Sequence, residues 1–460
     1  MIREKLYEIK EWNKVVHTTW NPSGPGVIRI HMIPPKFSLF HFAPAVVILN
    51  GKDVLPINES WAILLTEFIK GVNAFGDGQM SPDVLDDILN DAFYRVRRVY
   101  PNVSNETLKN DLEIIVSTFD DIARNNVPAM DIGSVSLSDY APYMSAPHRM
   151  DLMVSAMTKD KHWACNQKCL HCYAAGQKYG EVKELDTDQW KKIIDKCRAA
   201  QITQLTFTGG EPTLRKDLPE LIKHARWFVT RLNTNGILLT KELVSKLVDS
   251  ELDSVQVTLY SHHQEVHNAL VGAERFSDTV SGIKNALEAG LNLSVNTPLC
   301  SLNKDYVGML EFLHKMGVKY VTCSGLIVTG NATSKDSRQS QLSKDEIYDI
   351  LKAAKEYTDS HDMEIDFTSP GWIEEEKLRE MKMITPSCGA CLSNMAITPD
   401  GHVIPCQSWL SSDLLGNMLT DSWKKIWNDS TCKKIRKESA KAKGVCPLRK
   451  MNEGGIKHES

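Results

Sequence analysis

An α/β fold built on a partial parallel barrel is what this sequence predicts, and three patterns carry the prediction. Between residues 150 and 335, six apolar or β-branched segments end near Met157, Phe207, Asn233, Tyr260, Thr297 and Cys323. Amphipathic helical stretches such as 188–200, 241–248 and 277–289 separate most of them, and strands alternating with helices imply parallel βαβ units. Six strands are too few for a closed eight-stranded barrel and suit an open one. The chemistry-bearing residues fall at the carboxyl ends of these strands, where such folds place their active sites.

The other elements follow in chain order. VVIL, Asn50-Gly51 and KDVLPI read as a hairpin, because Asn-Gly tolerates the positive φ of a tight turn. Trp61, Leu64, Leu65, Phe68, Ile69 and Val72 recur at helical spacing. Ser81-Pro82 supplies an N-cap and first-turn proline for a second helix towards Tyr100, and a third spans about 106–124. Residues 1–130 therefore predict a winged-helix-like domain, with 131–149, rich in Ser, Pro and Asp, as its linker. The barrel occupies 150–335. Beyond it, 336–460 predicts helices and a cysteine-bearing domain whose hairpin, MAITPDGHVIPC, turns at Asp400-Gly401. The Lys-rich final stretch reads as a solvated helical face and tail.

Composition limits the function. The 460 residues are 42% apolar and 24% charged, which excludes disordered and fibrous classes. A net charge of −4 provides no global field for nucleic acid. MIREKLYEIKEWNK lacks the apolar core of a signal peptide, and no apolar run is long enough to span a membrane, so a cytoplasmic protein is expected. In that reducing compartment, clustered thiols point to metal ligands or catalytic groups rather than disulfides. The 11 cysteines do cluster: Cys165, Cys169 and Cys172 in one group, and Cys388, Cys391 and Cys406, followed by Cys432 and Cys446, in another.

Residues 165–172 read CNQKCLHC. Thiolates on one loop suit iron–sulfur or zinc, both of which favour soft sulfur. Zinc would want a fourth ligand, for which His171 and His162 are near in sequence. A four-iron cluster held by three thiolates keeps one iron open to an outside ligand, which is a catalytic arrangement.

The loop, with its companions in order, resembles the radical SAM superfamily. Gly209-Gly210-Glu211-Pro212 matches its GGEP segment, and Asn233-Thr234-Asn235-Gly236 its TNG element. The resemblance implies that Glu211 accepts the ammonium of S-adenosylmethionine, that Thr258 approaches the ribose, and that His171 lies beside the adenine. It implies fourfold use of strand ends for cofactor binding through Gly209, Gly210, Glu211, Pro212, Thr234, Asn235, Thr258 and His171. His262, His263 and His267 read as loop and cap residues rather than a zinc cluster. Cys197 reads as a small core hydrophobe, while Cys300 and Cys323 lie at strand ends within possible reach of the site.

From Cys391, the C-x9-G-x4-C hairpin and LLGNMLTDSWKKIW resemble the SPASM and twitch extensions that carry auxiliary clusters. Cys388, Cys391, Cys406 and Cys446 form the expected ligand set, with Cys432, in a helix before KKIR, set aside. The later C-x2-C-x5-C-x3-C run is missing, so one auxiliary cluster is expected. A zinc site at the same cysteines is the alternative, and composition does not separate the two. Residues 25–128 resemble the PqqD-like precursor-recognition module of peptide-modifying systems, which takes a leader peptide as an added strand. A plain accessory helical domain is the other reading.

Together the resemblances imply a maturase that acts on a ribosomally made precursor peptide, forming a thioether or carbon–carbon crosslink. They imply S-adenosylmethionine, a radical SAM and an auxiliary 4Fe-4S cluster, a leader-bearing peptide and an electron donor such as flavodoxin or ferredoxin. Oxidation or decarboxylation of a tetrapyrrole and a non-catalytic metal-binding scaffold are the alternatives.

Overall fold

The computed structural model describes residues 15–20, 28–38, 41–50, 53–76, 80–124, 126–128, 130–133, 135, 140, 143–159, 162–410, 413–441 and 445–448, with Arg3 and Tyr7. The chain divides into two compact units, Met1–Met144 and Ser145–Ser460.

In the first unit, the strands are β1 (Val16–Trp20), β2 (Ile28–Ile33), β3 (Lys36–Ser38), β4 (His41–Ala43), β5 (Ala45–Leu49) and β6 (Asp53–Ile57). An antiparallel sheet runs in the order β1-β2-β5-β6, and β3 pairs with β4 separately. The expected hairpin is β5–β6, with Leu49 opposite Asp53 and Asn50 at φ 49°; Gly51 lies outside the described residues. Sequence reading missed β1 and β2, although every residue of IRIHMI is buried. Helices Glu59–Phe75, Pro82–Val99 and Asn105–Ala123 are each N-capped by a side chain, from Asn58, Ser81 and Ser104. Their apolar faces close on the sheet through Ile63, Leu64, Ile69, Phe93, Val96, Ile115 and Phe119, against Ile30, Met32, Val47 and Leu49. The unit runs past residue 130, because Ile132 packs on this core and the Val135 N–H donates to the Val54 carbonyl at 3.3 Å.

The second unit contains β7 (Arg149–Ser155), β8 (Thr158–Lys159), β9 (His162–Trp163), β10 (Gln204–Gly209), β11 (Val229–Thr234) and β12 (Ser254–Thr258). They are followed by β13 (Asn292–Pro298), β14 (Tyr320–Ser324), β15 (Glu364–Phe367), β16 (Asn394–Ile397), β17 (His402–Ile404) and β18 (Gly416–Asn417). One ten-stranded sheet runs β15-β14-β13-β12-β11-β10-β7-β16-β17-β18. The strands from β15 to β7 are mutually parallel. The six expected strands are β7 and β10 to β14, and each ends within two residues of its predicted position. The seventh, β15, has only four residues, EIDF, too short to announce itself. Residues on both sides of 336 contribute to this sheet: β16 lies parallel to β7, and the cysteine-bearing hairpin extends it through β17 and β18.

Side chains alternate across the parallel strands. Leu152, Phe207, Leu232, Val255, Val257, Val295 and Val321 are buried. The opposite face carries Asp151, Thr206, Arg231, Asn233, Gln256, Asn296 and Thr322. Parallel strands covered by helices on both faces are apolar throughout. A polar second face is what an open barrel needs to hold a polar guest.

Candidate functional site

The loop carrying Cys165, Cys169 and Cys172 follows β7 and the β8–β9 ribbon. Neighbouring backbone grips it on two sides. The Lys168 and Leu170 N–H groups donate to the Val271 and Leu270 carbonyls at 2.9 and 2.8 Å, and Asn331 N–H to the Cys172 carbonyl at 2.9 Å. Gly330, at φ 57°, approaches so closely that a Cβ would stand 2.4 Å from the Tyr173 carbonyl oxygen. The loop is thus placed before any ligand arrives. The thiols are within electrostatic reach of one another, and burial together with their mutual repulsion pushes Cys165 up to about 12 and raises Cys169. Thiols that repel one another as anions are a donor set for a cation-rich centre, which lowers the proton affinity of each sulfur on binding. These residues fit an iron–sulfur cluster.

Glu211 lies at the end of the second barrel strand, with 1% of its surface exposed. Its Oε1 accepts from the Thr213 N–H (3.0 Å), the Thr213 hydroxyl (2.6 Å) and the Thr234 hydroxyl (2.7 Å), and its Oε2 from the Asn235 N–H (2.8 Å). Burial raises its pKa, and these four hydrogen bonds act against that rise. The carboxylate is therefore held in place, and Oε2, with one donor, keeps capacity for a cationic N–H. Cys165 feels its negative charge, which places Glu211 beside the thiol loop.

The remaining expected cofactor residues fall around this carboxylate. Thr234 and Asn235 hold Glu211, and Asn235 Nδ2 also donates to Asn166 Oδ1 at 2.6 Å, tying the TNG turn to the cysteine loop. Gly209 and Gly210 serve strand packing: a Cβ on Gly209, at φ 139°, would lie 2.3 Å from the Ser155 carbonyl oxygen. Pro212, itself buried, opens a 3-10 turn, and Thr258 ends β12 half-buried. His171 is buried and neutral, since burial lowers its pKa to about 4, and its Nε2 shares a 2.7 Å hydrogen bond with Ser340. Sequence reasoning missed Asn166, Ser340 and Tyr260, whose ring lies 6.2 Å from that of His171. Asn166 stands inside CNQKCLHC and could have been found there; Ser340 is 169 residues from its partner.

His262 and His263 face Asp305 at 3.6 and 4.0 Å, but His267 turns away into the core, accepting from the Tyr260 N–H. Asp305 meanwhile caps the helix Tyr306–Lys315. Cys197, Cys300 and Cys323 are fully buried.

At the C-terminal hairpin, the Cys391 N–H donates to the Pro405 carbonyl at 3.1 Å, which brings Cys388 and Cys391 beside Cys406. Cys391 adopts φ 54°, unusual for a residue with a side chain. All five thiols converge. Cys388 pairs with Cys446, Cys391 with Cys432, and Cys406 lies within electrostatic reach of Cys446 and Cys391. These pairings raise Cys388 and Cys391, whereas the bond from Cys391 and the nearby Arg436 lower Cys432. Five soft donors fit a closed iron–sulfur site.

Comparison with known proteins finds a family for each of the two cysteine-bearing segments. Residues 164–313 match the family model described as the radical SAM superfamily, and residues 388–448 that of SPASM, an iron–sulfur cluster-binding domain. The mycofactocin maturase MftC of Mycolicibacterium smegmatis is 27% identical over 300 residues, 63% of this chain and 74% of that relative. The Fe-coproporphyrin III synthase of Methanosarcina barkeri is 29% identical over 213 residues, 44% of this chain and 53% of that relative. Among solved structures, Streptococcus suis SuiB bound to its precursor peptide SuiA shares the fold, with a TM-score of 0.58 at 14% identity over 85% of this chain and 87% of that one.

Proposed function

From a chain that is a radical SAM enzyme with an iron–sulfur SPASM domain, we infer a maturase that modifies a ribosomally made precursor peptide, by a thioether or carbon–carbon crosslink. The observation that carries it is the buried Glu211 carboxylate, fixed by four donors beside a preformed loop of three thiols. Cys165, Cys169 and Cys172 hold the reducible cluster, and Glu211 receives the cofactor's ammonium through Oε2. Thr234 and Asn235 keep that carboxylate in place, His171 and Thr258 line the nucleoside side, and Gly209, Gly210 and Pro212 shape the turn. Bound together, the cluster and S-adenosylmethionine supply a 5′-deoxyadenosyl radical that takes a hydrogen atom from the substrate.

The polar barrel face positions the peptide. Thr206 Oγ1, Asn233 Oδ1 and Ser294 Oγ are buried there without a hydrogen-bond partner among the described residues, and suit the amides of a peptide. Residues 25–128 capture the leader at a sheet edge, Cys388, Cys391, Cys406 and Cys446 hold an auxiliary cluster, and a flavodoxin- or ferredoxin-type protein in the cytoplasm delivers the electron. No helix among the described residues is long and apolar enough to cross a membrane. The likeness to the coproporphyrin synthase favours a second reading, a tetrapyrrole substrate.

The test is anaerobic reaction of the reconstituted enzyme, S-adenosylmethionine and reductant with the short peptide encoded beside its gene, followed by mass spectrometry. The peptide should lose hydrogen atoms in even number. An unaltered peptide alongside an altered coproporphyrin would sink the peptide reading.

A further inference from the structure

Three neighbouring residues on the polar face of the parallel sheet carry unmet polar atoms. Thr206 of β10 is in register with Asp151 of β7 on one side and with Arg231 of β11 on the other. Asp151 Oδ2, Thr206 Oγ1 and Arg231 Nε are each buried with no hydrogen-bond partner among the described residues. Buried polar atoms in folded proteins are satisfied by protein, water or ligand, so a row of three on one face points to a polar guest.

Two arginines near this row differ from the third. Arg215 is a structural arginine: its Nε and Nη2 donate to Asp217 at 3.0 and 2.7 Å, and its Nη1 to the Val154 and Leu185 carbonyls, both at 3.0 Å. Arg149 Nε lies 3.0 Å from Asp151 Oδ1. Arg231, half-buried, has no hydrogen bond and no carboxylate within 4 Å among the described residues. Burial lowers its pKa to about 10, with Arg149 adding to the fall and Asp151 and Asp366 opposing it from a distance, so it stays charged at neutral pH. A guanidinium is a rigid fork of donors that matches a carboxylate through two parallel bonds, and buried charges are ordinarily paired.

We propose that Arg231 is a specificity-determining residue that binds a carboxylate of the substrate inside the open barrel. Thr206 beside it and Asn233, two residues further along β11, offer the same guest their unmet oxygens. Arg231 comes three residues before Thr234, whose hydroxyl holds Glu211. At about 3.3 Å per residue, that puts its backbone roughly 10 Å down the strand from the cofactor turn. An anchor at that depth fixes one end of the guest while its reacting carbon lies near the cofactor. The carboxylate is that of an Asp or Glu side chain or of the chain end in a core peptide, or a propionate of a tetrapyrrole. The proposal rests on the reading of the chain as a radical SAM enzyme and narrows its substrate to one with an acidic group.

The test changes enzyme and substrate together, in the full reconstituted chain. The substrate is the short peptide encoded beside the gene, with each Asp, each Glu and the terminal carboxylate converted in turn to its amide. One of these amides should raise KM for the unaltered enzyme roughly ten- to hundredfold, as for loss of a charge-assisted pair. Arg231→Gln should keep its iron and show the same rise with the unaltered peptide, but no further rise with that amide. Arg231→Lys should be intermediate. A structural arginine, or one that meets only ordered water, would act additively with every amide, and that result would overturn the proposal. So would amides that all react as well as the parent peptide, a result that needs no variant to fold. A peptide left unaltered by the unaltered enzyme would instead mark failure of the peptide reading. The same cycle then runs by absorption titration with iron coproporphyrin III and its methyl ester, where equal binding of acid and ester would overturn the role of Arg231.

Discussion

The two thiol sites of this chain are built on opposite plans. At residues 165–172 three thiols lie on one loop, half-buried, at the mouth of a sheet whose inner face is polar, beside a buried carboxylate. At residues 388–446 five thiols come from a hairpin, a helix and a following segment, and Arg436, stacked on Trp427, donates to one of them, Cys432. Among the described residues the first site offers three thiols beside a carboxylate, while the second gathers five thiols with a cation, Arg436, bonded to one of them. Open coordination admits substrate chemistry, and closed coordination stores or passes an electron. The same residue type serves both because the neighbours differ: Glu211 in one, Arg436 in the other.

The largest expected effect separates the sites outright. Replacing Cys165, Cys169 and Cys172 with Ala should abolish cleavage of S-adenosylmethionine and remove about half of roughly eight irons, counted by chemical assay. Loss of all iron would show that the sites do not load independently. Cys388→Ala with Cys406→Ala should remove the other half, yet leave binding of S-adenosylmethionine, followed by calorimetry, measurable. A smaller effect is expected at Glu211→Ala. Iron content should stay near that of the unaltered protein while cofactor affinity falls roughly ten- to hundredfold, as for loss of a charge-assisted hydrogen bond of about 1.5–3 kcal/mol. Unchanged affinity would place the ammonium elsewhere. The smallest expected effect is at Asn235→Ala, which keeps the backbone donor to Glu211 but loses the 2.6 Å bond to Asn166. One neutral hydrogen bond is worth about 1 kcal/mol, so affinity should fall about fivefold.

How far each site was legible follows from how local it is. CNQKCLHC and GGEP are contiguous, and their placement after β7 and β10 could be read from strand spacing alone. The network that holds Glu211 was half legible: Thr234 and Asn235 stood out as a motif, but their task of fixing a carboxylate 23 and 24 residues away did not. Arg436 was invisible, since in sequence it is one cation in a Lys-rich helix and its partner Cys391 lies 45 residues back. Likewise, β16 beside β7 joins segments some 245 residues apart, and no local periodicity announces such pairing.

The most direct test of the contrast between open and closed sites is electron paramagnetic resonance of the dithionite-reduced protein, with and without S-adenosylmethionine. The cofactor should alter the signal of the unaltered enzyme, and leave untouched the signal of the variant in which Cys165, Cys169 and Cys172 are replaced. A cofactor-induced change in that variant would place S-adenosylmethionine on the C-terminal cluster and contradict the account.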